Sequence, residues 1–268
     1  MKPLGWPCPL IGGASATELA LAAETQDVLI RLVEAIGSLP IDLPDNPVWL
    51  RFGRTKSDDL IDHLDAQLGI EVDFPNPFPN EYGVQTKRGV CSYRSTTAIY
   101  LAYRARQLLQ GVANPRVLEI GPGMGRSAYY AARLGIGHYS VVDLPFPAGV
   151  LQSYFLMRTL GPDKVQLSGE TIPAASVRVM EPSEFLEGSE RYDLIINNDS
   201  ITEIGHAQAS LYFDKITVST PLMFSINHES NLFRLRDLIA QRRDRISRYD
   251  RHPDWLRTGC VEELLAFK

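Results

Sequence analysis

The chain has 268 residues, 44% of them hydrophobic and 22% charged, with a formal net charge of -5. That length can bury a sizeable core as one domain with an appendage or as two small ones, and the negative balance disfavours a nucleic-acid partner, because neutralising phosphates takes a basic face. Cys8, Cys91 and Cys260 form no CxxC pair, which argues against a zinc site or a disulfide framework and for a reducing, cytoplasmic setting; no run of about 18 apolar residues suits a membrane span, and prolines interrupt MKPLGWPCPL where a signal peptide needs an apolar stretch.

In chain order, residues 15–36 have the pattern of an amphipathic helix, with Ser15 and Glu18 at capping-box spacing and Gly37 as its stop. A second helix is expected at 57–68, capped by Ser57 and ended by Gly69, with Leu60, Ile61, Leu64 and Leu68 along one side. The apolar faces of these helices can pair with a second copy, so a homodimer is one expectation. The segment DFPNPFPNEYG, residues 73–83, has three prolines at every second position. Prolines so spaced forbid a helix, and the segment is read as an extended linker or lid. The expected boundary places an N-terminal helical cap at 1–83 and a main domain at 84–268. A third helix, 95–110, has Ser95 as cap and Gly111 as stop.

From residue 115 strands and helices alternate. The expected strands are RVLEI (116–120), HYSVVDL (138–144), SVRVM (176–180), YDLIINN (192–198), PLMFSIN (221–227) and two more in RISRYDRHPDW and CVEELLAFK. Between them fall helices at 125–135, 151–161, 182–188, 206–216 and 231–243. The fold class is therefore α/β: a Rossmann-like, doubly wound, seven-stranded sheet with helices on both faces and an N-terminal helical cap.

VLEIGPGMGR, residues 117–126, sits where the first of these strands turns into a helix. One glycine would serve a tight turn; Gly121, Gly123 and Gly125 together point to a ligand lying close to the backbone at the carboxyl end of that strand. The dinucleotide fingerprint G-x-G-x-x-G would need Gly or Ala where this chain has Arg126. Glu119, two residues before the first glycine, would repel a pyrophosphate but not a cationic amino-acid group. Asp143, about twenty residues further on, ends the second strand, where a carboxylate can accept from two ribose hydroxyls.

E-x-G-x-G-x-G followed by a strand ending in Asp resembles the class I S-adenosylmethionine-dependent methyltransferases, over about the last 150 residues. The resemblance implies that Glu119, Gly121, Gly123 and Gly125 line the methionine part of the cofactor. It implies that Asp143 holds the ribose and Leu144 lies against the adenine. Met180 and Glu181 would border the adenine, with ordinary core packing as the alternative for Met180, and Asn198 completes the cofactor set. VVDLP (141–145), SAYYAARLG, YDLIINNDSITEIG, LMFSINHES and DWLRTGCVEELL are similar to bacterial sugar O-methyltransferases, with the mycobacterial enzymes that methylate mannosides for methylmannose polysaccharides as one candidate type. The implied substrate is a small saccharide.

Methyl transfer to a sugar hydroxyl needs positioning and removal of a weakly acidic proton, by a base, a metal or both. Asp199 follows the fourth strand and Asn227, His228 and Glu229 follow the fifth. This layout is similar to the metal-dependent O-methyltransferases of the catechol type, and it implies Asp199, Asn227 and Glu229 as ligands of Mg²⁺. The alternative is that Asp199 and Glu229 are helix caps. His228 and His206 are the candidate bases, with Asp199 as a third catalytic group. His63 and His252 lie off the expected edge, and His138 opens a strand at its opposite end. Tyr82, Tyr93, Arg94, Tyr100, Tyr103 and Arg104 cluster in the approach to the glycine-loop domain, and Tyr82 and Arg94 are the expected sugar-binding members. Two other readings are a NAD(P)-dependent oxidoreductase, which Glu119 and Arg126 oppose, and a non-catalytic S-adenosyl-binding protein, which the polar cluster opposes.

Overall fold

The computed structural model describes residues 16–41, 56–78 and 81–268. Two compact units divide the chain, the first ending at Tyr103 and the second running from Arg104 to Lys268. The division falls inside a helix, α3 (Tyr93–Leu108); the boundary expected at 83/84 lies within the first unit.

In the first unit, α1 (Ala16–Ala35) and α2 (Ser57–Leu68) bury the apolar stripes their spacing requires, among them Leu29, Leu32 and Val33 on one and Leu60, Ile61 and Leu64 on the other. The expected cap Ser15 lies outside the described residues. Ser57 is the first helical residue of α2, not its cap. Lys56 holds that position, and Ser57 Oγ donates to Gln26 Oε1 at 2.9 Å. The carboxyl end of α1 is tied by Gln67 Nε2 and Tyr103 OH, which donate to the Ile36 carbonyl at 2.9 and 3.3 Å. A hairpin of β1 (Val84–Thr86) and β2 (Gly89–Cys91) was not expected from the sequence. Its three-residue strands are too short to show an alternation. Phe74, buried, forms a bridge to Gly89 and donates its N–H to the Arg88 carbonyl at 3.0 Å, so the proline-rich segment is pinned at its start. The helix α3 begins before Ser95, because Ser92 Oγ accepts the Ser95 N–H at 3.3 Å.

The second unit is one eight-stranded sheet in the order β5-β6-β4-β3-β7-β8-β10-β9. Its strands are β3 (Arg116–Ile120), β4 (His138–Val142), β5 (Val165–Gln166), β6 (Val177–Met180), β7 (Leu194–Asn198), β8 (Leu222–His228), β9 (Ile246–Pro253) and β10 (Cys260–Phe267). The seven expected strands are all present. The eighth, β5, is a two-residue edge strand and left no pattern to read. β3 to β8 pair in parallel, and β10 runs antiparallel to both β8 and β9. The helices are α4 (Arg126–Arg133), α5 (Val150–Leu160), α6 (Pro182–Glu187), α7 (His206–Ser219) and α8 (Leu235–Ala240). The last is shorter than the expected 231–243, because Asp237 Oδ2 accepts the Arg234 N–H at 2.8 Å and starts the helix there. This is the Rossmann-like, doubly wound architecture that the alternation of elements required.

The period of two sorts the first strand's side chains between the faces of the sheet. Leu118 and Ile120 enter the core with Phe185, Tyr212, Phe213 and Leu238 from α6, α7 and α8. Glu119 points to the other face, where Ser127 of α4 bonds it. β3 pairs with β4 on one side and β7 on the other, so the chain's direction of travel across the sheet reverses there. The carboxyl ends of β3 and β7 therefore flank the crevice in which open α/β sheets bind ligands.

Candidate functional site

The loop Gly121–Gly125 opens from that crevice. All three glycines have positive φ, at 72°, 58° and 79°. At Gly121 a Cβ would collide with the side chain of Ser200, whereas at Gly123 it would meet no atom within 4 Å. Gly121 is thus required by packing. Gly123 bares backbone beside open space, the condition for close approach of a ligand. Arg126, the residue that argued against a dinucleotide fingerprint, is buried; its Nη1 donates to Met124 Sδ at 3.4 Å and its guanidinium lies 5.8 Å from the Phe155 ring centroid.

Asp143 closes the site on the β4 side. Oδ2 accepts the Gly123 N–H at 3.1 Å and Oδ1 the Leu144 N–H at 2.8 Å. Burial pushes the Asp143 carboxyl above its usual range, and the two backbone N–H groups oppose that shift. A carboxylate offers about four lone-pair sites, so each oxygen keeps one for a further donor. Leu144, beside it, is 61% exposed. A fixed carboxylate with spare acceptor sites, an open glycine and an apolar side chain fit a nucleoside with a ribose diol. They fit the S-adenosyl group, and nothing in them calls for a pyrophosphate.

Glu119 sits lower than the resemblance implied. It is 2% exposed, and Oε2 accepts from Ser127 Oγ and from Tyr139 OH, the latter at 3.0 Å. Burial pushes its carboxyl up to about 7, against the lowering effect of the Ser127 and Tyr139 hydrogen bonds. It braces the strand and α4 beneath the loop. Met180 belongs to the core, with its sulfur accepting from Tyr192 OH at 3.7 Å. Glu181 caps α6 through a capping box with Glu184.

At the ends of β7 and β8 the three residues expected to hold Mg²⁺ all have protein partners, with Asp199 Oδ1 alone of their side-chain atoms buried and without one among the described residues. Arg257 Nη1 pairs with Asp199 Oδ2, and its Nη2 donates to Asn198 Oδ1 at 2.9 Å. The Glu229 carboxylate meets Arg251 at 2.6 Å and Arg234 at 3.5 Å. Asn227, buried, accepts from Thr202 Oγ1 at 3.2 Å and donates to Ser225 Oγ at 2.7 Å. Among the described residues no group of three or more His, Cys, Asp and Glu side chains is placed to hold a metal ion. The donor set does not fit Mg²⁺, and this corrects the metal expectation. Asp199 is not a helix cap either; it has φ 52°, uncommon for a residue with a side chain, at the strand's end.

The two candidate bases differ. His228 Nδ1 accepts the Ser230 N–H at 3.1 Å and contacts Ser230 Oγ at 2.7 Å, so the neutral ring carries its proton on Nε2. His206 is the exposed first residue of α7, with its ring edge-to-face on Phe233 at 5.2 Å and no hydrogen bond from its nitrogens among the described residues. His252 pairs with Glu262 at 3.3 Å, away from this edge. Tyr82 and Arg94 belong to the first unit and are both exposed, the latter stacked over Tyr93 at 5.3 Å. Tyr100 and Tyr103 are buried, and Arg104 pairs with Glu262 at 2.8 Å.

Sequence reading missed Arg257, Asn197 and Ser200. Arg257 joins Asp199 across 58 residues of chain, a pairing that their separate sequence motifs do not reveal. INNDS did mark the right segment, but not which amide turns inward.

No family model matches the chain, and no curated protein matches it. Solved structures do. The magnesium protoporphyrin IX methyltransferase of Synechocystis PCC 6803, with bound SAH, is 11% identical with a TM-score of 0.47, over 65% of this chain and 85% of that one. A predicted O-methyltransferase of Agrobacterium tumefaciens is 13% identical with a TM-score of 0.45, over 63% and 80%. A protein of Thermoplasma acidophilum is 16% identical with a TM-score of 0.43, over 65% and 88%. Among the described residues no helix is long and apolar enough to cross a membrane.

Proposed function

We propose that this chain is an S-adenosylmethionine-dependent methyltransferase whose acceptor is a sugar hydroxyl. The observation that carries the cofactor assignment is the Gly123–Asp143 hydrogen bond at the point where the strand order reverses. When bound, the cofactor supplies a methyl group already activated on a sulfonium. Asp143 would accept from the ribose hydroxyls, Leu144 would cover the adenine, and the open backbone at Gly123 would admit the amino-acid part. Glu119 would act from below, by holding β3 and α4 together.

His206 is proposed as the base, because its ring nitrogens are not engaged, whereas His228 Nδ1 is taken by Ser230. His228 would then present an Nε2–H donor to the acceptor. Asp199, neutralised by Arg257, would shape the floor. The sugar assignment is supported by the sequence likeness in INNDSITEIG and FSINHES and by Trp255, 42% exposed, in the hairpin between β9 and β10 that carries Arg257. Aromatic rings suit the apolar faces of saccharides. Cys91 and Cys260, both unpaired and buried, accord with a reducing cytoplasm.

Calorimetric titration with S-adenosylhomocysteine and NAD⁺ tests the cofactor: at least about tenfold tighter binding of the former is expected, and the reverse order would overturn the assignment. Transfer of labelled methyl into a panel of mono- and disaccharides tests the acceptor. His206→Gln should slow that transfer by about a hundredfold or more while sparing S-adenosylhomocysteine affinity.

A further inference from the structure

Beneath the acceptor side of the crevice runs an unbroken chain of neutral hydrogen bonds. Asn231 Nδ2 donates to Thr202 Oγ1 at 2.6 Å, and Thr202 Oγ1 donates to Asn227 Oδ1 at 3.2 Å. Asn227 Nδ2 donates to Ser225 Oγ at 2.7 Å, and Ser225 Oγ donates to Asn197 Oδ1 at 3.3 Å. Asn197 Nδ2 donates to Ser200 Oγ, and Ser200 Oγ donates to the Ile120 carbonyl at 2.8 Å. Asn231 heads the chain as a donor, Asn227 and Asn197 each give on one side and receive on the other, and each hydroxyl passes the direction on. Asn197, Ser225, Thr202 and Asn227 are buried, so water does not compete for these groups. The chain starts in the loop after β8 and ends on the last residue before Gly121.

It also ends in a steric contact. Ser200 fills the space that a side chain at Gly121 would need. Its hydroxyl is held by Asn197 and by the Ile120 carbonyl, so the rotamer that presses on the glycine loop is fixed from within the relay. A bond lost at Asn231 or Thr202 leaves a buried polar group to re-pair, and the re-pairing passes down the chain.

We infer that Asn197–Ser200 is the positioning pair for the cofactor loop, and that Thr202 and Asn231 make that loop's geometry depend on the loop after β8, on the acceptor side. The relay would bring the glycine loop to its binding shape when the acceptor loop is ordered. This rests on the proposed cofactor site only for its functional meaning; the mechanical link stands on the hydrogen bonds themselves.

The test compares Thr202→Val, Thr202→Ser, Asn231→Ala and Ser200→Ala with the unaltered chain. Two readouts apply: affinity for S-adenosylhomocysteine, and hydrogen exchange of the Gly121–Gly125 amides in the protein alone. Thr202→Val and Asn231→Ala are expected to weaken binding by about fivefold and to speed exchange in the glycine loop, though neither residue touches that loop. Thr202→Ser, which keeps the hydroxyl, should restore both. Unchanged exchange at Gly121–Gly125 in Thr202→Val and Ser200→Ala, in proteins that melt normally, would overturn the relay. If the unaltered chain does not bind S-adenosylhomocysteine, the cofactor assignment falls, and the exchange comparison still decides the relay.

Discussion

Asp143 Oδ2 accepts the Gly123 N–H at 3.1 Å, so the residue that directly follows β4 also holds the middle of the glycine loop. One carboxylate shapes the loop and faces the ligand. Asp143→Ala should therefore weaken S-adenosylhomocysteine binding by about tenfold to a hundredfold, the range for losing hydrogen bonds to a charged group. Asp143→Asn keeps a carbonyl for one N–H but exchanges an acceptor for a donor, and should fall between. Titration calorimetry of the three proteins checks the order.

Gly121 and Ser200 form the second close approach in the loop. Gly121→Ala places a Cβ against Ser200 at φ 72°, where side chains are rarely found. A loss of roughly 1–3 kcal/mol is expected from strain and overpacking together. Ser200→Gly in the same chain relieves the collision but not the backbone strain. Thermal melts of the single and double variants should show partial recovery, and full recovery would mean that φ at 121 costs nothing.

These two contacts mark how far the sequence is legible. The order of strands and helices was readable because each long element carries its own period, as in the buried run of β3 and the stripe of α2. The glycine–carboxylate pair was readable because its spacing is local to two successive strands. The hairpin Val84–Cys91 and the edge strand Val165–Gln166 were not, since two or three residues hold no period. The metal expectation failed for a different reason. A carboxylate after β7 and another after β8 look like ligands until their counter-ions are known. Those counter-ions, Arg257 for Asp199 and Arg251 for Glu229, come from β9 and the hairpin that follows it. Only the folded sheet shows that the sites are already neutralised.

Glu119 gives a pH signature. Its carboxyl is raised from 4.5 in the unfolded chain to about 7 in the fold, chiefly by burial. Between those values the native state holds a proton that the unfolded state has released. Stability from this group is therefore complete below about pH 4.5 and is lost as pH rises through about 7, up to about 3 kcal/mol in all. Glu119→Gln keeps a neutral, hydrogen-bonding side chain and removes the titration. The melting temperature of the variant relative to the parent should rise from pH 5 to pH 8. A difference that stays flat across that interval would show that Glu119 does not take up a proton there.

Arg257 stands where a cation was expected. Its Nε faces Asp254 at 3.4 Å, Nη2 donates to Asn198 and Nη1 pairs with Asp199, so all three nitrogens are used. The Asp254 side chain is 1% exposed, and in Arg257→Met its carboxylate would keep the backbone N–H groups of residues 256 and 257 but lose its buried cation. Breaking one partner out of such a set costs about 3–5 kcal/mol, and a drop of that order in denaturant-melt stability is expected. Arg257→Lys should recover only a small part, since one ammonium cannot serve three acceptors in a fixed fork. With Asp199 neutralised by a guanidinium, chelation should leave methyl transfer unchanged. A rate that falls on EDTA treatment and returns on adding Mg²⁺ would mean that Arg257 gives way to an ion, which single-turnover assays with and without chelator would reveal.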